Sequence, residues 1–121
     1  MLTLDPDSLD QIRDLDPDGS AGVVAEIATT FIETSTQLVA DLRLAGETGD
    51  ADGAMRASHT LKSSSGFLGA KAFADVCREI EQLTRTGNVA GALPFIDRIV
   101  VDHPLLCAVL RRDLLGVTTA I

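Results

Sequence analysis

His59 is followed by Lys62, Ser63 and Gly66, at spacings of three, four and seven. On an α-helix these residues share one face. Ala54, Ser58, Leu61, Ser65 and Leu68 mark the opposite face, an aliphatic and small-residue stripe suited to burial. The segment therefore predicts a helix that presents an imidazole and an ammonium to solvent beside a surface free of bulk. That is the surface of a histidine meant to be reached by another large molecule.

Three chemistries are open to such a histidine. A metal centre needs three or four ligands, and His59 has no His, Cys, Asp or Glu at i+3 or i+4. Serine-based catalysis needs a base held against the hydroxyl and an oxyanion site. Ser63 lies one turn away on the same helix, Ser65 points to the core, and no strained turn is visible. The serines are better explained as small residues that let helices approach and bond back to carbonyls four residues earlier. The remaining chemistry is covalent phosphoryl carriage, since imidazole is nucleophilic near neutral pH. A carrier needs one ring nitrogen exposed, the other held by an acceptor, and a cation for the phosphoryl charge, for which Lys62 is placed. It also needs a smooth rim, which Gly66, Gly69 and the serines can supply.

The elements that must position this face all read as helices, and no stretch has strand alternation. Asp5-Pro6 opens a short helix with an apolar edge of Leu9, Ile12 and Leu15, ended by Asp16-Pro17-Asp18-Gly19, which looks like a lid on a bundle end. Ser20 can cap a long helix carrying Val24, Ile27, Phe31, Thr34 or Ser35, Leu38 and Leu42, expected to run to about Ala45 and stop before Gly46-Glu47-Thr48-Gly49. Asp50 caps the histidine helix, which should end near Gly66 to Gly69. The next helix begins about Ala70, buries Phe73, Val76, Cys77, Ile80 and Leu83, and ends at Gly87. The last holds Leu93, Ile96, Val100, Leu106, Val109 and Leu110, with Pro94 in its first turns, a bend before Pro104, and an end near Leu115. His103, beside that proline, reads as a surface residue. Short connections make neighbours antiparallel. The expected fold is all-α: one domain over residues 1–121, an antiparallel up-down four-helix bundle with an extra short N-terminal helix.

The acceptor for His59 should come from the following helix. A hairpin turning near Gly69 sets His59 opposite the region of Cys77 to Glu81. Cys77 and Ile80 belong to the core. Glu81 sits at the edge of the buried stripe and can reach an imidazole N–H; Gln82 points further outward and is the second choice. The plainer reading of Glu81 is a solvated residue paired with Arg78 or Arg85.

The formal net charge of −8 over 121 residues argues against nucleic acid and anionic membranes as partners. The segment from Arg56 to Arg85 runs against this trend, with five cations and three anions, and suits an acidic docking partner. No apolar run approaches the ~18 residues of a membrane span. The N-terminus lacks the basic and apolar regions of a secretory signal. Cys77 and Cys107 read as buried, reduced thiols of a cytoplasmic protein.

The stretch from Ser58 to Ala70 resembles the signature of histidine-containing phosphotransfer (HPt) domains: a histidine followed by x-Leu-Lys-Gly-Ser-Ser and then x-x-Leu-Gly-Ala. The matching residues are His59, Leu61, Lys62, Ser64, Ser65, Leu68, Gly69 and Ala70. Leu4-Asp5-Pro6, the Phe31 helix, Gly49-Asp50, Cys77, Ile80-Glu81 and Gly87-Asn88 also fall where that family has similar residues. Ser63 stands where the family usually has glycine. It narrows access to the histidine or supplies a hydrogen bond to a phosphoryl group.

The resemblance implies a phosphorelay intermediate. His59 would accept a phosphoryl group from a receiver-domain aspartate, as on a hybrid histidine kinase, and pass it to the receiver domain of a response regulator. The Mg²⁺ and the catalytic groups would belong to the receiver. The chain would bind no cofactor and would not be an enzyme by itself, and it has no nucleotide-binding loop for autokinase activity. A monomer is expected, and Met1 to Ile121 fits a free-standing member as well as an excised domain. The alternative is a degenerate HPt that docks a receiver or kinase without accepting phosphate, which Ser63 would favour. A helical enzyme or metal protein is a third reading.

Overall fold

A computed structural model describes residues 2–116. Five helices follow one another: α1 (Pro6–Arg13), α2 (Val23–Thr48), α3 (Ala51–Phe67), α4 (Lys71–Arg85) and α5 (Val89–Leu114). Two or three residues link α2 to α3, α3 to α4 and α4 to α5. Links that short fold each helix back along its predecessor. The result is an antiparallel four-helix bundle of α2 to α5, with α1 across one end. Among the described residues there is no strand, and no helix is long and apolar enough to cross a membrane.

Local sequence sets most boundaries. The Asp5 carboxylate accepts from Ser8 N, and Pro6 occupies the first turn. Asp50 accepts from Gly53 N and Asn88 from Gly91 N, each at the start of its helix. The start of α2 differs from the expectation. Ser20 does not cap it. Gly22 holds the cap position with φ 68°, and the buried Asp16 accepts from Ala21 N at 3.3 Å and Val23 N at 3.1 Å. The turn expected to end α1 thus serves α2.

The other end of α2 also runs past its expected stop near Ala45. The helix continues to Thr48 and closes on Gly49 at φ 73°, with Asp50 N donating to Ala45 O. Gly46 is retained inside the helix for packing. A Cβ there would lie 3.1 Å from Ile96 Cδ1 and 3.3 Å from Leu93 Cδ2, so the missing side chain lets α5 come close.

The core is aliphatic, with Phe31 and Phe73 its aromatic members. Leu42, Leu61, Ile80, Ile99 and Leu110 are fully enclosed. Ser35, not Thr34, fills the gap in the α2 stripe. Leu9 and Ile12 hold α1 down, while Leu15 and Leu93, expected in apolar stripes, are exposed. Cys77 and Cys107 are buried free thiols. Helix α5 continues through Pro94 and Pro104.

His103 is the clearest correction. It lies in the core, not on the surface: its Nε2 is 2.7 Å from Ser35 Oγ and 3.5 Å from Cys107 Sγ. Position 103 falls on the same face of α5 as Ile96, Ile99, Leu106 and Leu110, and α2 offers a hydroxyl opposite it. A buried imidazole is stable there because it has a partner.

Candidate functional site

Helices α3 and α4 form a hairpin through Leu68, Gly69 and Ala70, and the site lies on its outer face. Burial of Ala54, Ala57, Ser58, Leu61 and Ser65 fixes the rotation of α3. That rotation leaves His59 outside, with its side chain 57% exposed.

Behind the ring stands Glu81. Its side chain is only 3% exposed, and Oε2 lies 2.6 Å from His59 Nδ1. Lys62 Nζ donates to Oε1 at 2.5 Å, and Arg85 Nη2 donates to Oε2 at 3.0 Å. Three donors thus converge on one carboxylate. Its acidity is increased first by the hydrogen bond from Lys62 and then by that from His59, against the opposing effect of burial. An ionised carboxylate only accepts, so Nδ1 is the N–H of the ring. The lone pair is then on Nε2, the nitrogen directed away from Glu81.

The structure brings His59, Lys62 and Glu81 together and leaves Gln82 apart, exposed on the next position of α4. Glu81 is buried, not solvated as its plainer reading had it, and of that reading only the pairing with Arg85 holds, on the same oxygen that takes the imidazole. Arg78 pairs with Asp75 instead. Lys62 was expected free in solvent; it is half-buried against Glu81 because a buried carboxylate one helix away attracts the nearest ammonium.

The rim is made differently from the expectation. Ser63 is exposed and its hydroxyl donates to His59 O at 3.2 Å, within the helix. A Cβ at Gly66 would meet only Ala74 Cβ at 4.0 Å, so packing does not require glycine there and the surface is open. Gly69 belongs to the turn and not to the rim. It is buried at φ 81°, its carbonyl accepts from Asp5 N at 2.9 Å, and a Cβ would come within 2.8 Å of that nitrogen.

Two grooves flank this ridge. One, of about 570 Å³, is apolar and lies between α2 and α3, lined by Ile27, Phe31, Ser63, Phe67 and Leu68. Phe67 is exposed there, and sequence reasoning passed over it although it lies off the buried stripe. The other groove carries Lys62, Lys71, Asp75 and Arg78. Among the described residues no three His, Cys, Asp or Glu side chains are grouped to hold a metal ion.

A four-helix bundle that exposes one imidazole nitrogen and clamps the other to a buried carboxylate defines a class: the histidine-presenting helical bundles. Within it, the chain belongs to the Hpt domain family, whose model matches residues 26–116. It is 25% identical to histidine-containing phosphotransfer protein 2 of Arabidopsis thaliana over 103 residues, 83% of this chain. That match spans 66% of the plant protein's length. The fold is similar to the crystal structure of histidine-containing phosphotransfer protein B from Pseudomonas aeruginosa PAO1. The TM-score is 0.82 at 22% identity, covering 94% of this chain and 96% of that one.

Proposed function

We propose that the chain is a monomeric, cytoplasmic phosphoryl carrier of a two-component phosphorelay. His59 takes a phosphoryl group from a receiver-domain aspartate, on a hybrid histidine kinase, and returns it to an aspartate on a response regulator's receiver. The observation that carries this reading is the 2.6 Å contact between His59 Nδ1 and the buried Glu81. It leaves the Nε2 lone pair for phosphorus.

The Nε2 lone pair attacks the aspartyl phosphate, the P–O bond breaks, and the aspartate departs as a carboxylate. The ring becomes positively charged, with Nδ1–H still donating to Glu81. That carboxylate stabilises the charge as it forms, which is electrostatic assistance in the transition state. A ring that keeps its Nδ1 proton is also the better leaving group when the next aspartate attacks. Mg²⁺ and the remaining catalytic groups are assigned to the receiver, so the chain is not an enzyme alone. The apolar groove beside Phe67 and the cationic groove beside Lys71 support docking of an acidic receiver astride the histidine.

Incubation with a phosphorylated receiver domain and Mg²⁺ tests the proposal. The protein should acquire an acid-labile label that His59→Gln abolishes. Complex formation without label across several receivers would replace the proposal with the binding-module reading.

A further inference from the structure

Glu81 is held by two cations, although one would neutralise it. Lys62 Nζ is on Oε1 and Arg85 Nη2 on Oε2. Arg85 reaches Glu81 from the next turn of the same helix, with its own side chain 66% exposed. In the resting protein the second cation is redundant.

It ceases to be redundant when His59 is loaded. A phosphoryl group brings roughly two negative charges to Nε2. Lys62, one turn along α3 on the same face, is the cation on the histidine's own helix. If its ammonium turns to the phosphoryl oxygens, it leaves Oε1. A carboxylate that is 3% exposed would then stand uncompensated. It would take the Nδ1 proton or swing outward, and the ring would lose its support. Arg85 does not compete for the phosphoryl group in the same way, because it stands on α4, one turn from Glu81 itself, and donates to Oε2, the oxygen that also takes Nδ1.

Resting on the carrier reading, we propose that Arg85 is a positioning residue. It retains Glu81 as an ionised acceptor for His59 Nδ1 while Lys62 transfers from Glu81 to the phosphoryl group. Lys62 and Arg85 are interchangeable before phosphorylation and not after it.

The test uses the whole chain and phosphoramidate as donor, so that no receiver is needed. Nε2 attacks phosphorus, the P–N bond breaks, and the nitrogen leaves as ammonia. Before loading, ¹⁵N chemical shifts of the His59 ring report the tautomer. Lys62→Gln and Arg85→Gln should each keep the Nδ1–H form, and the double variant should lose it. After loading, Arg85→Gln should lengthen the lifetime of phosphohistidine about tenfold, because loss of one charge-assisted hydrogen bond at Glu81 costs the ring its Nδ1 proton and makes it the poorer leaving group. Arg85→Lys should restore it. Circular dichroism melting should be the same for the three proteins, since the residue is largely exposed.

A wild-type lifetime in Arg85→Gln, or loss of the Nδ1–H form in that single variant before loading, would overturn the proposal. Wild-type protein that accepts phosphate from neither phosphoramidate nor phosphorylated receivers would overturn the carrier reading instead. In that event a retained tautomer in both single variants, lost in the double, would still show the two cations to be redundant on Glu81.

Discussion

Ser35 Oγ and His103 Nε2 lie 2.7 Å apart across the interface of α2 and α5, both enclosed by the bundle. The chain therefore puts its two histidines to opposite uses. His59 is exposed with its inner nitrogen tied to a carboxylate. His103 is enclosed against a hydroxyl and a thiol, neither of which stabilises a positive charge.

Burial first, and the nearby Arg111 charge second, lower the pKa of His103 from its ordinary value. The unfolded chain thus binds this proton more readily than the folded one. The stability is fully present above the ordinary histidine range and is lost as pH falls through it toward the lowered folded value. Urea unfolding at pH 7.5 and pH 5.5 should show a lower midpoint at the acid pH. His103→Leu should reduce the difference between the two midpoints.

Glu81→Ala should cost function more than stability. Without the acceptor the His59 ring has no reason to keep its proton on Nδ1, and Lys62 and Arg85 lose their common partner. Loss of a hydrogen bond to a charged group slows labelling by about 10- to 100-fold. Rates of label transfer from a phosphorylated receiver measure this, and ¹⁵N shifts should show both ring tautomers populated. The lowered pKa of Glu81 has a second consequence. Its contribution to stability is present above the ordinary carboxylate range and disappears as pH falls through the folded value, well below the window in which His103 acts.

Ser63→Gly should widen access to His59. The hydroxyl is engaged with His59 O, so its removal takes nothing from the ring. Glycine in an exposed helix costs about 0.5 kcal/mol relative to serine. Labelling by phosphoramidate should be unchanged, whereas transfer from a receiver should be a few-fold faster. A slower reaction with the receiver alone would instead make the hydroxyl part of the docking surface.

Gly69→Ala should loosen the end of the bundle that carries α1. The φ of 81° is unfavourable for alanine, and its Cβ would meet Asp5 N and Ser8 Cβ. A loss of about 2 kcal/mol is expected from strain and displacement together. Thermal melting measures it. Hydrogen exchange should show faster exchange in α1 than in α3.

The helices and their order were legible because each signal is local. Apolar residues at helical spacing, Asp5 and Asp50 at helix starts, and glycine at Gly87 act within one turn of chain. The exposed face of α3 was legible for the same reason: Leu61 and Ser65 on one side leave His59, Lys62 and Ser63 on the other. Errors arose where a residue serves a distant element. Gly46 reads as a helix stop until Ile96 is seen against it. Ser20 reads as a cap until Asp16 folds back to do that work. His103 reads as a surface residue because nothing near it in sequence announces Ser35, 68 positions away.

The sequence by itself determined an all-α chain, the helix that carries His59, and the exposed face of that helix on which His59 stands. Periodicity and spacing suffice for that, because neighbours on one helix are set by the 3.6-residue turn. Tertiary structure alone decided what lies behind the imidazole. Whether Glu81 meets water, Arg85 or His59 depends on the rotation and register of α4 against α3, which the packing of Phe73, Cys77 and Ile80 sets. That packing encloses the carboxylate, and enclosure makes it gather His59, Lys62 and Arg85 around a single charge.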